Sequence, residues 1–136
     1  MGKPRSVARG YYVERKLVAL LSSKPGNYVF RIPVSGGSAR VNSPTALPDV
    51  FLVNNVEDRI VAFEVKGTSR KKVKVKREQL MKLFKFLEPF KKYSRREAVV
   101  AVWFFSEGKW VFKKIEDGLC PEEVCITVDD ESNWEP

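Results

Sequence analysis

The sequence predicts an α/β domain, a central mixed β-sheet flanked by α-helices. Two stretches, near the N-terminus and after residue 77, carry apolar residues at helical spacing. Apolar runs of strand length, PDVFLV, IVAFEVK, AVVAVWFF and KWVFKKI, are bounded by Gly, Pro, Asn and Asp. The order is helix, strand, strand, strand, helix, strand, strand, without repeats. The 136 residues predict a single domain, with its core over about 5–115 and an acidic segment over about 116–136.

Ser6 is a candidate N-cap for a first helix reaching about Leu21, where Ser-Ser-Lys-Pro-Gly stops it. Val7, Tyr11, Val18 and Leu21 form its apolar stripe, widened by Val13, Leu17 and Leu20. Glu14 falls in the middle of that arc. Burying a carboxylate unpaired costs several kcal/mol, on the order of the whole stability of a small domain. Glu14 therefore requires an Arg, a metal or a metal-bound water, unless it stretches to a solvated helix edge. NYVFRI, residues 27–32, reads as a short strand, and PVSGGSARVNSPTAL as a long loop. Long loops inside a compact domain often carry function.

That loop ends at Pro48-Asp49, where the PDVFLV run opens. In the next run, alternation puts Ile60, Ala62, Glu64 and Lys66 on one face and Val61, Phe63 and Val65 on the other. After Gly67-Thr68-Ser69, the cations Arg70, Lys71, Lys72, Lys74, Lys76 and Arg77 surround Val73 and Val75, as in a short exposed ribbon with a cationic side. A second helix from about Arg77 buries Leu80, Leu83, Phe84, Leu87 and Phe90, with Gln79 in its first turn. Residues 98–105 form a continuous apolar strand, Gly108 a turn, and KWVFKKI the returning hairpin arm.

The formal charge is +8, unevenly spread. All 25 basic side chains precede residue 115, whereas eight of the 17 acidic ones follow it, so residues 1–115 carry a net +16. Such a body attracts a polyanion, and nucleic acid is the usual one. No basic amphipathic helix with an exposed apolar face points to a membrane, and no leader or spanning segment is evident, so an intracellular, cytoplasmic protein is expected. The absence of histidine removes Ser–His–Asp and Cys–His triads and His-ligated zinc. Cys120 and Cys125 alone cannot build a four-ligand zinc site and read as a free pair or an occasional disulfide.

Fourteen residues separate the Asp of Pro48-Asp49 from the Glu of Glu64-Val65-Lys66. If both runs are neighbouring strands, two carboxylates and an amine meet at one end of a sheet. Metal-dependent phosphodiester hydrolysis needs such a set, with oxygen ligands for a hard cation and a cationic amine beside the attacking water. A Glu–Lys pair at a strand end is the plainer alternative.

The ordered set of Glu14-Arg15, Arg31-Ile32-Pro33, Ser35 and Ser38, Pro48-Asp49, Glu64-Val65-Lys66 and KVKVKREQ resembles the archaeal Holliday-junction resolvases of the Hjc and Hje type, closest to Hje. These belong to the restriction-endonuclease-like PD-(D/E)xK superfamily, and the resemblance covers roughly residues 5–115. It implies a restriction-endonuclease-like fold, with Glu14, Asp49 and Glu64 organising Mg²⁺ (or Mn²⁺) and its waters, and Lys66 orienting the nucleophilic water. It further implies that Ser35 or Ser38 takes part in cleavage and that Arg15 and Arg31 contact DNA or shape the site. Lys71, Lys72, Lys74, Lys76, Arg77 and Gln79 are the remaining expected DNA contacts.

The expected function is a structure-selective, Mg²⁺-dependent DNA endonuclease, active on four-way junctions and nucleoid-associated. Another PD-(D/E)xK nuclease cutting duplex or flap DNA, or a basic DNA-binding protein without catalysis, is the alternative. Paired cuts in opposing strands require two copies of one site, hence a homodimer. The aromatic hairpin around Trp103, Phe105, Trp110 and Phe112 is the expected interface, with at least half of these rings filling the monomer core.

Overall fold

The computed structural model describes residues 5–33, 47–116 and 122–136, with side chains from Arg9 onward. Helix α1 spans Arg5–Ser22, so Ser6 lies inside it rather than at its cap. Strands β1 (Tyr28–Arg31), β2 (Val50–Asn54) and β3 (Arg59–Thr68) follow, then β4 (Lys72–Lys76) and helix α2 (Arg77–Leu87). Strands β5 (Arg95–Phe104), β6 (Lys109–Ile115) and β7 (Glu123–Thr127) complete the described elements.

Five strands form a mixed sheet in the order β1-β2-β3-β5-β6. Only β3 and β5 run parallel, joined through α2; the other three pairings are antiparallel. The expected alternation along β3 holds. Val61 and Phe63 pack with Leu17 and Leu21 of α1, while Ile60 and Ala62 pack with Leu83, Phe86 and Leu87 of α2. The helices therefore cover opposite faces, which is the flanked α/β architecture read from the sequence. On α1, Leu20 is exposed and drops out of the stripe; on α2, Phe86 is buried and Phe84 only partly so.

Two expectations need correction. The basic ribbon is strand β4, paired antiparallel with β7 from the acidic C-terminal segment, from Lys72 opposite Thr127 to Lys76 opposite Glu123. That segment is no tail beyond the core. Ile126 and Val128 are buried beside Leu80, Val100 and Val102, while Trp134 is buried on the other face against Phe63 and Phe112. The aromatic hairpin also turns inward. Phe112 is buried, Trp103 lies under the Lys16 ammonium, and Tyr12 stacks on Phe105. The large exposed rings are instead Tyr28 and Phe30 on edge strand β1, and Tyr12.

Cys125 is free and exposed; Cys120 lies outside the described residues. Among the described residues, no helix is long and apolar enough to cross a membrane.

Candidate active site

The β2–β3 register runs from Asn54 opposite Arg59 to Val50 opposite Phe63, so Asp49 enters β2 beside the end of β3 that carries Glu64. The two carboxylates are near enough for the Asp49 charge to raise Glu64. Pro48 is buried, and the Asp49 backbone N–H donates to Phe63 O at 3.1 Å, fixing the entry into β2. Asp49 Oδ2 accepts a hydrogen bond from the Val65 N–H at 2.8 Å. Lys66 Nζ pairs with Glu64 Oε2 at 3.3 Å, as their shared face requires.

Helix α2 supplies another contact. Gln79 Nε2 donates to Glu64 Oε2 at 3.1 Å, and its Oε1 accepts from the Lys76 N–H at 3.3 Å. Gln79, expected as a DNA contact, is thus a bridge between the start of α2 and the Glu64 carboxylate. Three residues on, Lys82 is near enough for its charge to pull Asp49 and Glu64 downward. Lys82 was not singled out in the sequence; its spacing from Gln79, on one helix face, is the signal that could have found it.

Glu14 approaches from α1. Its Oε1 stands 3.1 Å from Arg31 Nε of β1, and the Arg31 guanidinium lies 5.0 Å from the Tyr11 ring centre. The charges pair, yet both buried atoms lack a hydrogen bond because the N–H does not point along their line. Of the partners open to Glu14, the structure supplies the Arg.

The three carboxylates perturb one another. Burial pushes Glu14 up from 4.5 to about 7, the Asp49 charge adds to the rise, and Arg31 opposes it. Asp49 is raised by burial against the pull of the Val65 N–H, Lys66 and Lys82. Glu64 is raised by burial and by Asp49, against Lys66 and Lys82. Raised acids gathered at one end of a sheet lack positive charge, and a divalent cation would supply it.

The donor set fits such an ion in chemistry, since Mg²⁺ and Mn²⁺ take carboxylate oxygens and keep several waters. It does not fit as a cage. Among the described residues, no three acidic, His or Cys side chains stand together closely enough to hold an ion. Asp49 and Glu64 are the paired donors, with Glu14 beside them and engaged by Arg31.

The other expected residues lie around this centre or beyond it. Arg15 is exposed on α1. Lys71, Lys72, Lys74, Lys76 and Arg77 are exposed along β4 and the start of α2. Lys74 faces Glu123 at 3.9 Å and Arg77 faces Glu122 at 3.3 Å, both across to the C-terminal segment. Ser35 and Ser38 lie outside the described residues. A groove of about 660 Å³ lies elsewhere, at the opposite end of the sheet around Arg59, Glu97, Lys114 and Trp134. Its charges are matched among themselves, so the chemistry is assigned to the perturbed carboxylates.

Comparison with known proteins gives one answer at three levels. The model of the archaeal Holliday junction resolvase (Hjc) family matches residues 5–133. The crossover junction endodeoxyribonuclease Hje of Sulfolobus acidocaldarius is 40% identical over 120 residues, covering 88% of this chain and 77% of that protein. The Hje of Saccharolobus islandicus is 36% identical over 124 residues, covering 89% and 84%. The fold is similar to that of Archaeoglobus fulgidus Hjc, a Holliday junction resolvase, with a TM-score of 0.63, 20% identity and coverage of 88% and 84%.

Proposed function

The chain belongs to the archaeal Holliday-junction resolvase family, and from that premise we propose that its Asp49–Glu64–Lys66 centre hydrolyses phosphodiesters in four-way DNA junctions. One observation carries the assignment of the centre: Asp49, at the entry to β2, and Glu64 of β3 stand close together, both raised, with Lys66 Nζ 3.3 Å from Glu64. Asp49 and Glu64 would hold Mg²⁺, for which Mn²⁺ could substitute, and the ion when bound would supply positive charge against that developing on the phosphoryl and leaving oxygens. Lys66 holds the water that attacks, Gln79 and Lys82 steady the Glu64 carboxylate, and Arg31 keeps Glu14 facing the centre. Ser35 or Ser38 takes part in cleavage.

Affinity comes from phosphate contacts by Arg15 and the β4 cations Lys71, Lys72, Lys74, Lys76 and Arg77. With six or more such contacts, junction affinity should fall roughly a thousandfold or more between about 50 and 200 mM salt. Neutralising Lys71, Lys72 and Lys74 together should lower the logarithmic salt slope by roughly two to three. An unchanged slope removes β4 from the interface.

The raised carboxylates fix a pH dependence. Their folded-state pKa values exceed the unfolded ones, so the metal-free protein binds protons more tightly when folded. It loses stability as pH rises from the ordinary carboxylate range through about 7. A cation competes with those protons, so Mg²⁺ should raise the melting temperature more at about pH 8 than at about pH 5.5. Equal shifts at both pH values would detach the cation from these groups.

One chain carries one such centre, and paired cuts require two. The protein acts as a homodimer, for which exposed Tyr28 and Phe30 on β1 offer more apolar surface than the inward-turned hairpin. Sedimentation at micromolar concentration should show twice the 15.6 kDa chain mass. The substrate places the protein with the nucleoid inside the cell.

A further inference from the structure

Gly67 follows Lys66 on β3 and shares a face with Val61, Phe63 and Val65, the face that α1 covers. A Cβ at this position would stand 2.6 Å from Val13 Cγ2 and 3.0 Å from Phe105 Cε2. Val13, the nearer neighbour, has little room to give. Val13 is fully buried and β-branched, so its rotamer within a helix is nearly fixed. The Phe105 ring is held on three sides. Its backbone N–H donates to Thr68 O at 2.9 Å, Tyr12 stacks on it at 6.1 Å, and the Arg9 guanidinium covers it at 4.2 Å. Arg9 also donates to Ser69 Oγ, so the contacts of Arg9 and Tyr12 draw α1 down onto residues 67–69 and 105. One turn and two turns further, Leu17 and Leu21 are locked in the core. The helix is pulled onto β3 at one position where no side chain intervenes, and Glu14 is the next residue after Val13.

We propose that Gly67 is a positioning residue for cleavage: its missing Cβ lets α1 settle against the end of β3 and so sets how near Glu14 stands to Asp49 and Glu64. The inference rests on the reading that Glu14 serves the catalytic centre. An alanine at position 67 needs about one further ångström of clearance to reach an ordinary carbon–carbon contact. The cheapest way to gain it is to lift α1 and Glu14 with it. The sequence shows this position only as the Gly that follows the EVK run, whereas the structure places it within β3, where a glycine otherwise weakens the strand.

The test compares Gly67→Ala, Val13→Ala, the double substitution and Glu14→Gln. Each is measured for single-turnover cleavage of a labelled four-way junction in Mg²⁺, for junction Kd and for thermal midpoint. Gly67→Ala should slow cleavage roughly tenfold to a hundredfold, the scale of an ångström-sized misplacement, with Kd nearly unchanged. Val13→Ala alone should cleave close to the unaltered rate. The double substitution should recover most of the loss, because the shortened side chain admits the new Cβ. If Gly67→Ala does not fold, the double variant decides: folded and active, it supports the inference. Full-rate cleavage by Gly67→Ala overturns it, as does a folded double variant that stays slow. Glu14→Gln separates the two readings. A slow Glu14→Gln beside a fast Gly67→Ala sinks the inference alone, whereas a fast Glu14→Gln removes the catalytic role of Glu14 on which it stands.

Discussion

Asp49→Asn and Glu64→Gln are each expected to slow junction cleavage by about a thousandfold or more while leaving junction binding almost unchanged. The substitutions are nearly isosteric. Asparagine can still accept the Val65 N–H bond that Asp49 Oδ2 takes at 2.8 Å, and glutamine can still meet Gln79. The lost charge, rather than a lost contact, is therefore what the assay reads. The same substitutions should raise the melting temperature of the metal-free protein near pH 8, because each removes a charge that burial penalises. Lys66→Ala should also cleave slowly, but without that gain, since it removes the cation paired with Glu64. Slower cleavage with higher stability is a signature that a merely structural ion pair does not produce. Asp49→Asn cutting at full rate would take Asp49 out of the centre.

The second large effect is on stability, at the far end of the sheet. Glu97 is 6% exposed and gathers four partners. Arg59 Nε donates to its Oε1 at 2.7 Å and Trp134 Nε1 at 3.1 Å, while Arg95 and Lys114 approach Oε2 at 3.5 and 3.6 Å. Burial alone would raise Glu97, but the hydrogen bonds from Arg59 and Trp134 outweigh it and hold the carboxyl below its ordinary range. Its contribution to stability is thus present at neutral pH and lost as pH falls through that lowered value.

Glu97→Ala leaves the Arg59 guanidinium, itself 4% exposed, with only Glu57 and the Glu135 carbonyl as polar partners among the described residues, and unhooks the Trp134 indole. Breaking a buried pair from one side costs 3–5 kcal/mol, and the groove beside this pair lets water soften the loss, so about 3 kcal/mol is expected. Denaturant titration measures it, and cleavage at low temperature should persist because the catalytic carboxylates are far along β3. A loss within experimental error would mean that the C-terminal segment is not anchored here.

How legible this was differs from element to element. The Asp49–Glu64–Lys66 set could be read because a strand of known register turns sequence spacing into shared faces. Glu14 stood out because a charge on an apolar stripe demands a partner, although which of the possible partners it took was not decidable. The β4–β7 pair was not readable. Its strands lie 46 residues apart at their nearest ends, Lys76 and Glu123 being paired; β4 carries charge at alternate positions that imitates a solvated surface, and β7 is only five residues long. Only Val75 and Ile126 are fully buried there, too few to give a period. Trp134 likewise sits alone among Ser, Asn, Glu and Pro, so nothing local announces that it closes the core. Gln79 was placed on the right helix turn, but its contact with Glu64 depends on how α2 lies across β3, a tertiary fact with no local signature.

The most direct measurement is a time course with a four-way junction labelled on two opposing strands, set beside duplex and flap DNA of the same sequence, with and without Mg²⁺. The account predicts paired incisions in opposing strands of the junction, dependent on the cation and much faster than any cut in duplex or flap. Junction cleavage that proceeds equally well in chelator, or duplex cut as fast as junction, would contradict it.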